Sequence, residues 1–104
     1  MSEPARQSRP DADSGVLVRT ETETARGWTF AAQVPRGHDS AEITLTLSWA
    51  DYEHWSHGAF SPSSVARAVL EALLEAGKDP AERLDASTAR RMVRDFDQRV
   101  RDAL

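Results

Sequence analysis

Asp51, His54 and His57 follow one another at three-residue intervals, a spacing that on a helix stacks one carboxylate and two imidazoles over about two turns. Imidazole and carboxylate together suit zinc or nickel, which makes this trio the best metal-ligand candidate in the chain. The residues also have a plainer role. Asp51 lies three positions after Ser48, where it completes a helix-capping pair, and both histidines fall opposite the side that carries Trp49, Tyr52 and Trp55. That opposite side is expected to face water. The plainer role is preferred, and no metal or cofactor is expected.

Other chemistries find less support. A Ser, a His and an Asp are present, but there is no nucleophile elbow, no glycine-rich phosphate loop and no recognisable pair of acids. The chain is therefore expected not to be an enzyme. Arg90, Arg94 and Arg101 form a stripe that could contact phosphates. Asp97 interrupts the stripe, and Asp95–Arg99 and Asp97–Arg101 are acid-before-base pairs four residues apart, the pattern of a solvated helix face.

The chain has 104 residues, enough for one domain and too few for two independent ones. Its formal net charge of -4 argues against a nucleic-acid partner without excluding a local basic patch. It has no cysteine, which rules out disulfides and thiolate chemistry. No apolar run approaches the length of a membrane span and no signal-peptide pattern opens the chain, so a cytoplasmic protein with no membrane contact is expected. Residues 1–26 lack aromatics and are rich in Ser, Pro, Asp, Glu, Thr and Arg; they are expected to form a disordered tail. Within them only Val16-Leu17-Val18 could add an edge strand.

Residues 27–104 are expected to form a single α+β domain, an antiparallel β-hairpin packed on three helices. Trp28, Phe30, Ala32 and Val34 alternate with polar or small residues, and Ile43, Leu45 and Leu47 do the same after a turn at Pro35–Ser40. Ser48 opens a short helix that Gly58 ends. Ser61 and Pro62 open a second, running to Ala76 with Gly77 as its terminator. The wide apolar arc of this helix marks it as the central one. After the break at Lys78-Asp79-Pro80, one last helix is expected from Asp85 or Ser87 onward, with Ala89, Met92, Val93, Phe96, Val100 and Ala103 on its buried face.

Two resemblances follow from these elements. The pattern Trp28-x-Phe30, then Thr46-Leu47-Ser48-x-x-Asp51-Tyr52-x-x-Trp55-x-x-Gly58, then Ser61-Pro62 opening an apolar helix, resembles a group of small uncharacterised bacterial proteins. The resemblance implies the hairpin-then-three-helix fold and no activity. Ile43–Ser48 followed by two helices is also similar to a ribbon-helix-helix unit. That likeness implies a DNA-binding regulator or antitoxin, with Thr44 and Thr46 facing the major groove; under this alternative Arg90 and Arg94 of the arginine stripe are further candidate nucleic-acid contacts. In such units the strand pairs with a second subunit. Here it is expected to pair with Trp28–Val34 of its own chain.

The preferred functional expectation is a non-enzymatic protein that acts through a protein partner or as a homodimer. Its candidate contact residues are Tyr52, Trp55, Phe60, Leu70 and Leu74; Trp55 and Phe60 flank the Gly58 turn, and the leucines lie at the edge of the central helix's apolar arc.

Overall fold

A computed structural model describes residues 15–104; Met1–Ser14, and with them the first part of the expected tail, lie outside the described residues. The sheet is built on three long strands, β1 (Leu17–Glu23), β2 (Gly27–Arg36) and β3 (Asp39–Ser48), of which β2 and β3 alternate buried and exposed side chains. They form an antiparallel meander, and a three-residue strand, β4 (Arg83–Asp85), joins β3 in parallel to give the sheet order β1-β2-β3-β4. Four helices complete the fold: α1 (Trp49–Ser56), α2 (Pro62–Glu75), α3 (Ala86–Met92) and α4 (Phe96–Ala103).

The mixed α+β class agrees with expectation, and several details differ. The edge strand foreshadowed by Val16-Leu17-Val18 extends to Glu23, so ordered structure begins inside the segment expected to be a tail. Its buried anchor is Val16, at 4% exposure. Most β1 side chains are polar because an edge strand packs little of itself on the core and draws its order from the β2 ladder. A bulge at Arg19 shifts the alternation, so that Val18 lies opposite Ala32 and Glu21 opposite Phe30.

The β2–β3 turn is tighter than Pro35–Ser40. Pairing continues to Arg36 opposite Asp39, and only Gly37 and His38 remain outside it, with Gly37 at φ 61°. On one face of the sheet Trp28, Phe30, Ala32, Val34, Ile43, Leu45 and Leu47 are buried beneath the helices. On the other, Thr22, Thr29 and Thr46 sit side by side across three strands, with Thr20 and Thr44 on the next rung. Threonine suits such a face, since its branched carbon favours the extended backbone and its hydroxyl meets water.

Sequence alternation gives no warning of β4. Only three residues long, it is held by the Thr44 N–H donating to the Glu82 carbonyl at 2.7 Å and by burial of Leu84 opposite Leu45. Asp85 then caps α3, its Oδ1 accepting from the Ser87 N–H at 2.8 Å.

The expected single last helix is two. Val93 is extended and Asp95 is left-handed (φ 58°), which separates α3 from α4. A continuous helix over residues 86–103 would be about 27 Å long. The break instead folds both halves onto the core, burying Ala89, Val93, Phe96 and Val100 while Met92 stays 40% exposed. Helix α2 is capped as expected, Ser61 Oγ accepting from the Ser64 N–H at 3.2 Å, and it buries Val65, Val69, Leu70 and Leu73 against the sheet side of the core.

Gly27 holds the meander to α1. A Cβ at this position would come within 2.1 Å of the Leu47 carbonyl oxygen, so the two backbones approach as closely as they do only because no side chain intervenes. Beside it, the Arg26 carbonyl accepts from the Trp49 N–H at 2.8 Å. Gly27→Ala should lower the unfolding free energy by about 3 kcal/mol or more. This would be read as a lower urea midpoint at unchanged m-value; an unchanged midpoint would show that β3 moves aside at little cost.

Candidate functional site

Helix α1 carries three aromatics, Trp49, Tyr52 and Trp55. At roughly 100° per residue they span an arc of about 120°, too wide for one contact surface in so small a domain. The two ends of the arc part accordingly. Trp55 turns inward, 2% exposed, and meets Phe96 of α4 edge-on at a centroid distance of 5.9 Å. Trp49 turns outward and is 49% exposed.

Trp49 does not stand alone. Its ring lies 4.4 Å from that of Trp28 and 6.2 Å from that of Tyr52, while Trp28 and Tyr52 meet edge-on at 5.1 Å. Trp28 is the buried floor of this trio. The Tyr52 hydroxyl donates to the Phe60 carbonyl at 2.5 Å, which brings the 41%-exposed Phe60 to the margin of the same surface. The turn between Tyr52 and Phe60 is made by His57 and Gly58, both left-handed, and by Ser56 Oγ, which accepts from the Gly58 N–H.

Of the five residues expected to contact a partner, the structure brings Tyr52 and Phe60 to this surface and places Trp55 and Leu70 in the core. Leu70 is fully buried and Trp55 nearly so; Leu74 is partly buried, packed against the core. Strand β1 and helices α3 and α4 pack against α2 and cover what a hairpin alone would leave open. Trp49 takes their place.

Behind the aromatic end lies a knot of charge joining α1, α3 and α4. Arg90 donates from Nη1 to Asp51 Oδ1 at 3.1 Å and from Nη2 to Asp97 Oδ2 at 3.2 Å, its Nε lies 3.1 Å from Asp97 Oδ1, and its guanidinium sits 5.8 Å from the centre of the Trp55 ring. Asp97 also accepts from Trp55 Nε1 at 2.8 Å and faces His54 Nε2 at 3.0 Å. Burial on its own would raise the Asp97 carboxyl. The hydrogen bonds from His54, Trp55 and Arg90, with the charge of Arg90, outweigh burial and lower it from 3.8 to about 2.

This knot corrects three expectations. Asp51 does not reach back to complete a capping box: Ser48 Oγ accepts from the Asp51 N–H at 3.1 Å, but the carboxylate is buried at 6% exposure and turned to Arg90. Asp97 belongs to no solvated i,i+4 pair with Arg101, and Arg99 lies near Glu75 instead, at 3.7 Å. Asp51, His54 and His57 do not converge, since Asp51 and His54 face different partners and His57 caps the helix end.

The residues of the DNA-binding reading are likewise separated. Thr44 and Thr46 lie on the open sheet face, whereas Arg90 is held in the knot on the helical side, and Arg94 lies in the exposed link between α3 and α4. Along Thr44–Thr46 the β3 strand has β2 on one side and β4 on the other, so no edge is left there for a second subunit. A groove of about 680 Å³ between α3 and α4 is walled by Arg90, Arg91, Arg101, Asp95 and Asp97. Its acids and bases nearly balance, and the Ser87 hydroxyl at its rim is bonded to Asp85 at 2.7 Å.

Among the described residues no helix is long and apolar enough to cross a membrane. Set against protein-family models, curated proteins and solved structures, the chain matches none of them.

Two outcomes follow from the knot. A carboxyl lowered on folding stabilises the fold above its unfolded value and loses that effect as pH falls, so acid should destabilise this protein between about pH 4 and pH 2. Asp97→Asn should flatten that part of the pH–stability profile, as followed by urea unfolding at stepped pH. Arg90→Ala leaves the buried Asp51 carboxylate without a cation and should cost about 3 kcal/mol. Adding Asp51→Asn to Arg90→Ala should recover part of the loss in the same assay; no recovery would mean that the lost packing on Trp55 dominates.

Proposed function

We propose that this chain acts without catalysis, as a binding module that engages a protein partner through the surface formed by Trp49, Tyr52 and Phe60. The observation that carries the reading is the half-exposed Trp49. Tryptophan is largely buried in most folded chains, and here the ring is held in place by Trp28 and Tyr52 rather than left to move freely. A rigid aromatic presented in this way loses little side-chain freedom on binding, the property that makes Trp and Tyr frequent interface anchors. Phe60, whose backbone carbonyl accepts from the Tyr52 hydroxyl, supplies a second exposed ring, and covering either ring fully would contribute roughly 1.5–3 kcal/mol.

Arg90 and the groove beside it support no competing activity. Within the groove Arg90 is paired with Asp97, and the Ser87 hydroxyl donates to Asp85, the residue that caps α3.

A photo-crosslinking amino acid placed at Phe60 should capture a discrete protein in the native cell. Trp49→Ala, with its fold verified by circular dichroism, should abolish that product and weaken binding of the purified partner by about 2 kcal/mol, roughly thirty-fold in Kd. If the product is a second copy of the chain, light scattering of the purified protein will show a dimer that Trp49→Ala dissociates. No discrete product, or one indifferent to Trp49→Ala, would overturn the reading.

A further inference from the structure

The aromatic surface is bordered by carboxylates. The β1–β2 register places Glu23 opposite Trp28 and Glu21 opposite Phe30, on the helical side of the sheet, and both glutamates are exposed. On the other flank, Glu53 of α1 sits one residue after Tyr52, and its Oε2 reaches over the Gly58 turn, 3.6 Å from where a Cβ on that glycine would lie. Among the described residues none of the three is in an ion pair. One cation, Arg26, stands in the β1–β2 turn near Trp49. Elsewhere on the helical side most acids are engaged: Asp51 and Asp97 by Arg90, Asp79 by Arg36, and Glu75 by Arg99.

From this pairing of an exposed indole with three unneutralised carboxylates we infer that the surface receives a lysine- or arginine-bearing segment of a partner protein. The inference rests on the binding-module reading above and specifies its partner by charge. A cation lying over the face of Trp49 is attracted by the ring, and Glu23 and Glu53 on either side add charge attraction and hydrogen-bond acceptors. The arrangement also disfavours a second copy as the occupant. A two-fold interface sets the same patch against itself, which would bring six carboxylates together in a chain already at net charge -4. An acidic partner segment meets the same repulsion.

The test uses the full chain and a lysine decamer as probe, followed by calorimetry and tryptophan fluorescence at low and moderate salt, with a glutamate decamer as control. The lysine decamer should bind and quench the indole emission, more weakly as salt rises. The exposed double substitution Glu23→Gln/Glu53→Gln, which preserves side-chain shape, should raise its Kd about tenfold, and Trp49→Ala should raise it about fivefold. Glu42→Gln/Glu82→Gln removes the same charge away from the patch and should change Kd less than twofold. No binding of the lysine decamer, or equal losses in the two double variants, would overturn the basic-segment inference. If the Phe60 crosslink and its dependence on Trp49 persist in that case, the binding module stands and only its partner's charge is wrong; if they fail as well, both fall.

Discussion

Asp97 faces α1 because the chain breaks between α3 and α4. Without the left-handed turn at Asp95, a continuous helix would carry this carboxylate past the core into water. With the turn made, Asp97 gathers the indole N–H of Trp55, the imidazole of His54 and the guanidinium of Arg90 from two other helices. Each of these groups would be costly to leave buried or half-buried alone. Their mutual satisfaction is what allows Trp55 and Phe96 to pack as apolar residues while their polar neighbours remain paired. Replacing such a cluster by apolar groups need not destabilise a fold, but removing a single member leaves the others unpaired.

The orientation of α1 follows from that anchoring. With Trp55 drawn toward α4, the first turn of the helix is rotated so that Trp49 and Tyr52 lie over Trp28 at the end of the sheet. The inward indole and the outward one are thus two consequences of a single helix placement. The close backbone approach at Gly27 reinforces it, since the Arg26 carbonyl ties the β1–β2 turn to the first residue of α1. The exposed aromatic surface is therefore a product of the way the core closes, and it is as rigid as the packing beneath it.

Much of the architecture was legible from residue order. Strict alternation over Trp28–Val34 and Ile43–Leu47 identified β2 and β3 and the face each would bury. The caps at Ser48 and Ser61 located two helix starts. Legibility declined where the deciding interaction was distant. The polar residues of β1 form a strand because β2 offers a ladder, and β4 is too short for any periodicity. The apolar pattern of residues 86–103 fits an unbroken helix as well as a broken one, since Ala89, Phe96 and Val100 are buried in both.

The candidate site divides in the same way. Sequence alone placed Trp55 and Phe60 on either side of the Gly58 turn, because local spacing and capping act within a few residues. It could not rank their exposure, since the side chains covering Trp55 and Leu70 come from elements far away along the chain. Tertiary packing decided that Trp55 and Leu70 serve the core, that Trp49 serves the surface, and that Asp51 and Asp97 bind an arginine instead of capping or solvating a helix. The physical reason is one of range. Propensity and capping are short-range and readable from neighbours, while burial and ion pairing depend on which residues the fold brings together.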